Sequence, residues 1–175
     1  MTPTTPPSIV ISLCINGKSL RREVAADLKL IDFLHEDLGL TGTKFCCGLG
    51  VCQACTVLAR SAPTALSEPL LACVTPVSAL DGQLIDTVEG VAGPNGLAPV
   101  QQAFLAHFAF QCGYCTPGFV MATVALLARL KAQPVPVDQL DEAIEAALGA
   151  HVCRCTGYAR YHAAAHELAL QVLRG

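Results

Sequence analysis

Eight of the ten cysteines in this chain fall into two separate sets of four. The first set combines three closely spaced cysteines with a distant fourth, and the second combines two close pairs. The members are Cys47, Cys52, Cys55 and Cys73, then Cys112, Cys115, Cys153 and Cys155. Sets of four cysteine thiolates hold iron–sulfur clusters or structural zinc. The sequence therefore predicts two metal centres, one in each half of the chain.

The spacing of the first set, C-x4-C-x2-C followed by a distant cysteine, is that of plant-type 2Fe-2S ferredoxins. A two-iron cluster needs four thiolates, so one loop must wrap around it and supply three of them. Gly48 and Gly50 lie inside this loop, where they permit positive φ angles and let backbone N–H groups turn toward sulfur. Such donors tune the reduction potential, which is roughly −400 mV in plant-type ferredoxins.

Two other uses of cysteine compete with iron. A disulfide framework would suit a secreted protein, but residues 1–20 contain no basic segment followed by an apolar run, so no signal peptide is expected. We therefore predict a cytoplasmic protein with reduced thiols, and export together with a partner subunit stays open. Structural zinc is the stronger alternative for the second set, because its C-x2-C and C-x-C pairs could close a tetrahedral site of four thiolates.

Two cysteines remain outside these sets. Cys14 lies in the alternating apolar run 9–15, and we interpret it as a buried structural residue. Cys46 directly precedes Cys47, and taking it as the first ligand would give an x5 spacing that breaks the plant-type pattern. We therefore predict that Cys46 is a neighbour of the first metal centre and not a ligand.

Composition limits the classes of function. Hydrophobic residues make up 53% and charged residues 14% of the 175 residues, against a usual charged share of about 25%. So little charge favours an apolar surface that is covered by an obligate partner. A net charge of −3 and a pI near 5.9 do not indicate a basic surface that would bind nucleic acid. No apolar stretch of the sequence reaches the length of a membrane span.

The first half of the sequence predicts a small sheet with one helix. Strands are expected on either side of an Asn16-Gly17 hairpin turn. Two further strands are predicted at residues 56–59 and 83–88. A helix is predicted over residues 28–38, with Asp27 as its N-terminal cap. These elements together favour a ubiquitin-like β-grasp.

The second half predicts four helices. The apolar faces are formed by Val100, Ala103, Phe104, His107 and Phe108 in the first helix, by Leu140, Ala143, Ile144, Ala147 and Leu148 in the third, and by Tyr161, Ala165, Leu168 and Val172 in the fourth. Thr116 is expected to cap the second helix, with Pro117 in its first turn. The second cysteine set occupies two helix junctions, so an up-and-down bundle would bring its four thiols to one end.

Three segments together resemble a known family, namely 43–57 (TKFCCGLGVCQACTV), 111–118 (QCGYCTPG) and 153–157 (CRCTG). They resemble the iron-sulfur subunit of the xanthine oxidase family of molybdenum hydroxylases, and the resemblance covers nearly the whole chain. It is greatest to small subunits of bacterial enzymes that oxidise aldehydes or hydroxylate N-heterocycles. The resemblance implies an α+β protein in which a ferredoxin-like β-grasp (residues 1–86) precedes a four-helix bundle (residues 87–175), each holding one 2Fe-2S cluster.

The same resemblance assigns roles to individual residues. Cys47, Cys52, Cys55 and Cys73 match the ligands of an outer cluster, and Cys112, Cys115, Cys153 and Cys155 match those of an inner cluster. Gln111 matches a glutamine that hydrogen-bonds the pterin, and Cys155 matches a ligand that lies against the pterin amino group. The implied role is that of an electron-transfer subunit in which no residue of this chain acts on substrate.

The resemblance also implies partners. A large catalytic subunit would bind molybdopterin, expected in its cytosine dinucleotide form, and hydroxylate a carbon with oxygen from water. Electrons would leave through an FAD subunit or a c-type cytochrome. The substrate is not encoded here, because the substrate pocket would belong to the large subunit.

Two positions depart from the family pattern. The family usually has glycine where this chain has Cys46, and often glycine where it has Gln53. Beyond the family motifs, His162 and His166 lie four residues apart on the last predicted helix. We interpret them as an exposed or partner-facing pair in preference to metal ligands.

Overall fold

The computed structural model describes residues 7–175 as a five-stranded sheet with one short helix, followed by four further helices. Residues 1–6 lie outside the described residues. Two expectations involve these residues, namely that the first domain starts at residue 1 and that residues 1–20 contain no signal peptide. To that extent both lie outside the described residues.

Five strands form one mixed sheet in the order β2-β1-β5-β3-β4. Their bounds are β1 (Ser8–Ile15), β2 (Lys18–Ala25), β3 (Thr56–Arg60), β4 (Glu68–Leu71) and β5 (Leu84–Asp86). β5 runs parallel to β1, and the other neighbouring strands are antiparallel. Asn16 and Gly17 form the predicted hairpin turn between β1 and β2, with positive φ angles of 50° and 78° that tight hairpin loops require.

One face of the sheet is buried against the first helix. Ile11, Leu13 and Ile15 of β1 point to this face and join a core that includes Phe33. Cys14 alternates to the opposite face and is only half-buried, so its interpretation as a buried residue is wrong. Cys55 and Cys73 belong to the same core and Cys47 packs against it, so this face of the sheet positions the first cysteine set.

The helix after β2 is shorter than the apolar spacing predicts. Its bounds are Leu30–Asp32 for α1 and Phe33–Asp37 for the π-type turn that continues it. Lys29 is the N-terminal cap position and no side chain caps the helix, so the predicted Asp27 cap is wrong. The reason is that the first N–H groups of the helix already have backbone acceptors, since Leu30 donates to the Thr75 carbonyl at 2.9 Å and Ile31 to the Ala72 carbonyl at 3.1 Å.

Strand β4 has no signal in the sequence, because its four residues do not alternate between apolar and polar. It lies at the edge of the sheet, where Pro69 is tolerated because a missing N–H costs least there. β5 is shorter than the predicted 83–88, because a 3₁₀ turn over Val88–Gly90 follows it closely. That turn begins the connection to the helical half.

The four helices of the second half share one core. Their bounds are α2 (Pro99–Ala106), α3 (Thr116–Ala132), α4 (Leu140–Leu148), which a 3₁₀ turn over Val137–Gln139 precedes, and α5 (Ala159–Arg174). Helix α3 lies against each of the other three. At the centre the ring of Tyr161 stacks on Phe119 with centroids 4.0 Å apart, and Phe104 meets Tyr161 edge-on at 5.4 Å.

Two details predicted for these helices are wrong. Helix α2 ends at Ala106, so His107 and Phe108 lie beyond it instead of joining the apolar face. His107 Nε2 lies 2.7 Å from Glu167 Oε2, and Phe108 has a φ of 48° and is 71% exposed. The cap position of α3 is Cys115, not Thr116. The Thr116 hydroxyl is instead 2.7 Å from the hydroxyl of Tyr161, which fixes the start of α3 to α5.

The two halves pack against each other through α3 and the sheet. Leu58 of β3 belongs to the core of the helical half, and α3 lies along β3. At the far end of this contact, Arg129 Nη2 forms an ion pair with Glu68 Oε2 at 3.0 Å. Within residues 7–175, none of the helices has the length and apolar character that a bilayer crossing needs.

Candidate metal centres

The first cysteine set lies in an irregular loop between the π-type turn and β3, and the turn after β4 supplies Cys73. Gly48 and Gly50 have φ angles of 66° and 72°, as the sequence predicts. Gln53 also has a positive φ, 58°, which is uncommon for a residue other than glycine. The loop therefore bends back on itself at three positions between Cys47 and Cys55.

This bending turns backbone donors toward the sulfur of Cys47. The N–H groups of Leu49 and Cys52 donate to Cys47 Sγ at 3.4 and 3.5 Å. The pKa of the Cys47 thiol is lowered to about 6, first by the Cys52 N–H and then by the Leu49 N–H. These donors favour the thiolate, which is the form that binds iron.

The other end of the first set is buried. The Cys73 N–H donates to Cys55 Sγ at 3.4 Å, and the two thiols are in contact. Burial raises the pKa of the Cys55 thiol to about 12. A coordinating metal reverses such a shift, because a bound thiol is deprotonated outright.

The second set occupies the two helix junctions at one end of the helical half, as predicted. Cys112 and Cys115 precede α3, and Cys153 and Cys155 lie between α4 and α5. Cys155 Sγ is 3.5 Å from Cys112 Sγ, and the thiol of Cys115 contacts that of Cys153. The junctions therefore meet, and residues far apart in the sequence supply one group of thiols.

In both sets the thiols meet as two pairs. The pairs are Cys47 with Cys52, Cys55 with Cys73, Cys112 with Cys155, and Cys115 with Cys153. A 2Fe-2S cluster held by four cysteines places two thiolates on each of its irons, so two adjacent thiol pairs fit this group. Across the described part of the chain, no three His, Cys, Asp or Glu side chains gather as ligands of a single ion.

Hydroxyl groups surround the buried half of the second set. The Thr156 hydroxyl lies 3.0 Å from Cys153 Sγ, and the Tyr161 hydroxyl lies 3.6 Å from Cys115 Sγ. The Cys153 N–H donates to the Tyr158 hydroxyl at 3.2 Å. Burial raises the pKa of the Cys115 thiol to about 11. The hydroxyls are donors that can stabilise sulfur once it carries negative charge.

The other half of the second set lies at the surface. Cys112 and Cys155 are exposed, and so is Gln111 beside them. The apolar side chains of Tyr114 and Val152, neighbours of the same cysteines, are about half exposed. This end of the molecule therefore presents two thiols, one amide and apolar surface together.

The residues outside the two sets are placed as follows. Cys46 is exposed, and its thiol contacts that of Cys52, whose charge raises the pKa of Cys46. The first centre thus has a fifth thiol beside it.

His162 and His166 lie near the surface on α5, with Nε2 atoms 4.0 and 3.6 Å from one oxygen of Asp141.

Direct contacts between the two cysteine loops have no local signal in the sequence. The Val152 N–H donates to the Cys52 carbonyl at 3.0 Å. His151 is 2% exposed, with its Nε2 3.4 Å from the Thr56 hydroxyl, and burial lowers its pKa to about 4. The Tyr114 hydroxyl donates to the carbonyl of Phe45 in a close contact. Such pairings depend on how the two halves dock, which no periodicity encodes.

Comparison with known proteins agrees with this geometry. Residues 13–78 match the family described as a 2Fe-2S iron-sulfur cluster binding domain, and residues 87–166 match a 2Fe-2S binding domain. The small FeS subunit of nicotinate dehydrogenase from Eubacterium barkeri is 39% identical over 156 residues, which are 89% of this chain and 92% of that subunit. The crystal structure of quinoline 2-oxidoreductase from Pseudomonas putida 86 contains a chain with 35% identity and a TM-score of 0.80, covering 96% of this chain and 98% of that one.

Some relatives are much longer. Aldehyde oxidase 1 of Rattus norvegicus is 41% identical over 160 residues, which are 87% of this chain but only 11% of that protein. The chain therefore spans about a ninth of the length of this relative and nearly the whole of the Eubacterium barkeri subunit.

Two adjacent domains, each with paired thiols and a family match of its own, define a protein with two 2Fe-2S binding domains. The chain belongs to the small iron-sulfur subunits of the xanthine oxidase family of oxidoreductases, the molybdenum hydroxylases. The family predicted from the sequence is thereby confirmed. The assignment of each thiol to iron, and of Gln111 to the pterin, stays a prediction that the thiol pairs and the exposed surface support.

Proposed function

We propose that the chain is the electron-transfer subunit of a molybdenum hydroxylase complex. In this proposal it takes electrons from a molybdopterin centre on a large partner subunit and passes them to a flavin or cytochrome acceptor. The observation that carries the proposal is the meeting of eight thiols as four pairs, two pairs in each domain. When bound, a 2Fe-2S cluster supplies one-electron chemistry at a potential that its hydrogen bonds and exposure set.

The residues of the chain divide this task between two ends. Cys47, Cys52, Cys55 and Cys73 would hold the outer cluster, and Cys112, Cys115, Cys153 and Cys155 the inner one. The N–H groups of Leu49 and Cys52 would donate to the Cys47 sulfur and so stabilise negative charge there. The buried Cys55 and Cys153 would keep water from the inner side of each site.

The exposed end of the second set is the proposed contact with molybdopterin. Gln111 lies at the surface next to Cys112, and its amide is free to donate to a pterin or accept from one. Cys155 is exposed beside Cys112, so its sulfur is accessible to a partner. The half-exposed Tyr114 and Val152 supply apolar surface around this contact, which suits an obligate interface.

Several finer expectations belong to this proposal. The domain boundary is placed between residues 86 and 87, with a β-grasp before it and a four-helix bundle after it. The molybdopterin is proposed in its cytosine dinucleotide form, held by the partner. The acceptor is proposed as an FAD subunit or a c-type cytochrome, and the complex is proposed to be cytoplasmic. No contact with nucleic acid is expected, because the net charge is −3.

Metal analysis of the purified chain tests the proposal. We expect about four iron atoms and about four acid-labile sulfides per chain, since each 2Fe-2S cluster contributes two of each. After reduction, electron paramagnetic resonance should show two distinguishable spin-half signals. About two irons per chain would remove one cluster from the proposal, and a single signal at full iron loading would indicate another type of cluster.

Structural zinc in one or both sites is the competing function, because paired thiols also bind zinc. A zinc-stabilised interaction module would transfer no electrons. The visible spectrum separates the two, because zinc–thiolate sites are colourless and 2Fe-2S centres are red-brown. A colourless protein with about one zinc per cysteine set would refute the electron-transfer role.

A further inference from the structure

The two cysteine loops are joined by four contacts, which we call the loop interlock. On one side is the segment 45–56 of the outer loop, and on the other are Tyr114, Gly118, His151 and Val152 of the helical half. Each contact involves a residue within three positions of a cysteine of its set. The interlock therefore connects the immediate surroundings of one metal site to those of the other.

The first contact leads from the second set to the start of the outer loop. Tyr114 lies between Cys112 and Cys115, so ligation of both cysteines would fix its backbone. Its hydroxyl donates to the carbonyl of Phe45, which lies two residues before Cys47. The Tyr114 hydroxyl therefore ties the position of the outer loop at Phe45 to that of the loop between Cys112 and Cys115.

The second contact leads to the middle of the outer loop. Val152 precedes Cys153, and its N–H donates to the carbonyl of Cys52 at 3.0 Å. This hydrogen bond joins Cys52 of the first set to the residue directly before Cys153 of the second set. Its donor and acceptor are both backbone groups, so it persists only while both loops keep their shape.

The other two contacts are steric and polar. A Cβ on Gly118 would lie 2.4 Å from the carbonyl oxygen of Gln53, so α3 approaches the outer loop as closely as glycine allows. Beside it, the buried His151 lies 3.4 Å from the Thr56 hydroxyl, which itself donates to the Gln53 carbonyl at 2.7 Å. The helical half therefore supports the outer loop along its length.

The outer loop depends on this support because it has little structure of its own. Residues 42–55 contain no helix or strand. Glu89 and His35 hold the start of this segment at Gly42 and Thr43, and its remainder is shaped by the sulfur-directed N–H groups and by the interlock. A segment with few regular hydrogen bonds opens locally at low free-energy cost. Removing an interlock contact should then increase opening of this loop more than it affects the fold as a whole.

We infer that the two metal sites are mechanically coupled, and that Tyr114 is the positioning residue through which the inner site stabilises the outer one. The inference rests on the proposed function, because it requires both clusters to be present. Its consequence is that retention of the outer cluster depends on a hydroxyl group located in the other domain. The role of Tyr114 is separate from iron ligation, since its hydroxyl donates to the backbone carbonyl of Phe45 and not to a sulfur of either set.

Loss of each cluster to an iron chelator tests this coupling in the assembled, cluster-loaded complex, with the electron paramagnetic resonance signals of the two clusters followed separately. Tyr114→Phe removes only the hydroxyl and should speed loss of the outer cluster by about 2- to 10-fold, the effect of one hydrogen bond. The inner cluster should be lost at the wild-type rate. Hydrogen exchange of the outer loop should increase in the same variant.

Arg129→Gln is the matched control. It removes the ion pair with Glu68, which also joins the two halves but lies away from both cysteine loops. It should leave both loss rates unchanged, and the thermal unfolding midpoints of the two variants should be similar. Unchanged outer-cluster loss in Tyr114→Phe, or equal acceleration in Arg129→Gln, would overturn the coupling while leaving the proposed function intact. A wild-type chain that binds no iron would overturn both.

Discussion

The carbonyl oxygen of Cys52 accepts a 3.0 Å hydrogen bond from the N–H of Val152. Cys52 belongs to the first cysteine set, and Val152 directly precedes Cys153 of the second set. The two residues are a hundred positions apart in the sequence. Their contact requires the helical half to dock on the outer loop in one orientation. Electron transfer between two sites needs a short and fixed separation, and this contact supplies one fixed point.

Gly118→Ala tests how closely the two halves must dock. The added Cβ would meet the Gln53 carbonyl at 2.4 Å, and backbone atoms cannot move aside cheaply. Overpacking costs about 1 to 3 kcal/mol, and a contact this short with backbone lies at the upper end of that range. The better helix propensity of alanine offsets up to about 1 kcal/mol, so about 1 to 2 kcal/mol remains. We therefore expect the thermal midpoint to fall by about 2 to 8 °C, measured by circular dichroism.

Gly93→Ala is the control for that variant. A Cβ at Gly93 would meet nothing within 4 Å, and the residue does not have a positive φ. Its midpoint should stay within about 2 °C of wild type. If Gly118→Ala is equally neutral, the close approach of α3 to the outer loop is not needed for stability.

Substitution of Cys46 and Cys47 tests which of these adjacent cysteines is a ligand of the outer cluster. Cys47 receives two backbone N–H groups and has a lowered pKa. Cys46 receives none from residues 7–175, and its pKa is raised by the neighbouring Cys52. Cys46→Gly should therefore retain the outer cluster with its resonance signal unchanged. Cys47→Ser should lose that signal or shift it, because serine is a harder and more basic ligand. The reverse pattern would assign the ligand role to Cys46.

The sequence predicted the family and the hairpin because both depend on local patterns. Cysteine spacing fixes which residues one loop can present to a metal, and Asn16-Gly17 specifies a turn without help from the rest of the chain. The pairing of Cys112 with Cys155 also follows from the helix pattern, since two junctions at one end of four packed helices must meet. Local periodicity and spacing were sufficient for these features.

Features that depend on docking could not be predicted in this way. The helix cap at Asp27 fails because the chain ahead of α1 pairs with the segment after Cys73. Thr116 does not cap α3 because its hydroxyl is close to Tyr161, a partner on another helix. The loop interlock is likewise invisible in the sequence, since its donors and acceptors include backbone groups that every residue carries. Tertiary contacts override local preference at each of these points.

Exposed apolar side chains lead to a prediction about the isolated chain. Leu49, Val51 and Phe108 are each at least 65% exposed, and they lie close in sequence to the cysteine sets. We expect the chain produced without its large partner to aggregate, and Phe108→Ser to reduce aggregation, because solvent-exposed apolar patches associate. Light scattering at increasing protein concentration measures the aggregation of the wild-type chain and of the Phe108→Ser variant. A monomer at high concentration that unfolds cooperatively would argue against an obligate interface.

Gln111→Ala tests the proposed contact with molybdopterin. The side chain is exposed beside Cys112, and its loss removes a hydrogen bond worth about 0.5 to 1.5 kcal/mol, or more if a buried pterin group is left unpaired. In the assembled complex, cofactor content or the rate of electron transfer out of molybdenum should fall. Both iron signals should remain, because no thiol has changed. The exposed Gln133→Ala is the control and should alter neither property.

Removal of a ligand at the other end tests the direction in which electrons leave. If the inner cluster receives electrons first, a Cys47 variant that lacks the outer cluster should still reduce molybdenum and the inner cluster during a single turnover. Steady-state turnover with the natural acceptor should fail, because the exit of the electrons is missing. Rapid mixing with substrate, followed by freezing and paramagnetic resonance, separates these two outcomes. In the wild-type complex, reduction of the outer cluster before the inner one would reverse the proposed order, and full turnover in the Cys47 variant would place the exit elsewhere on the chain.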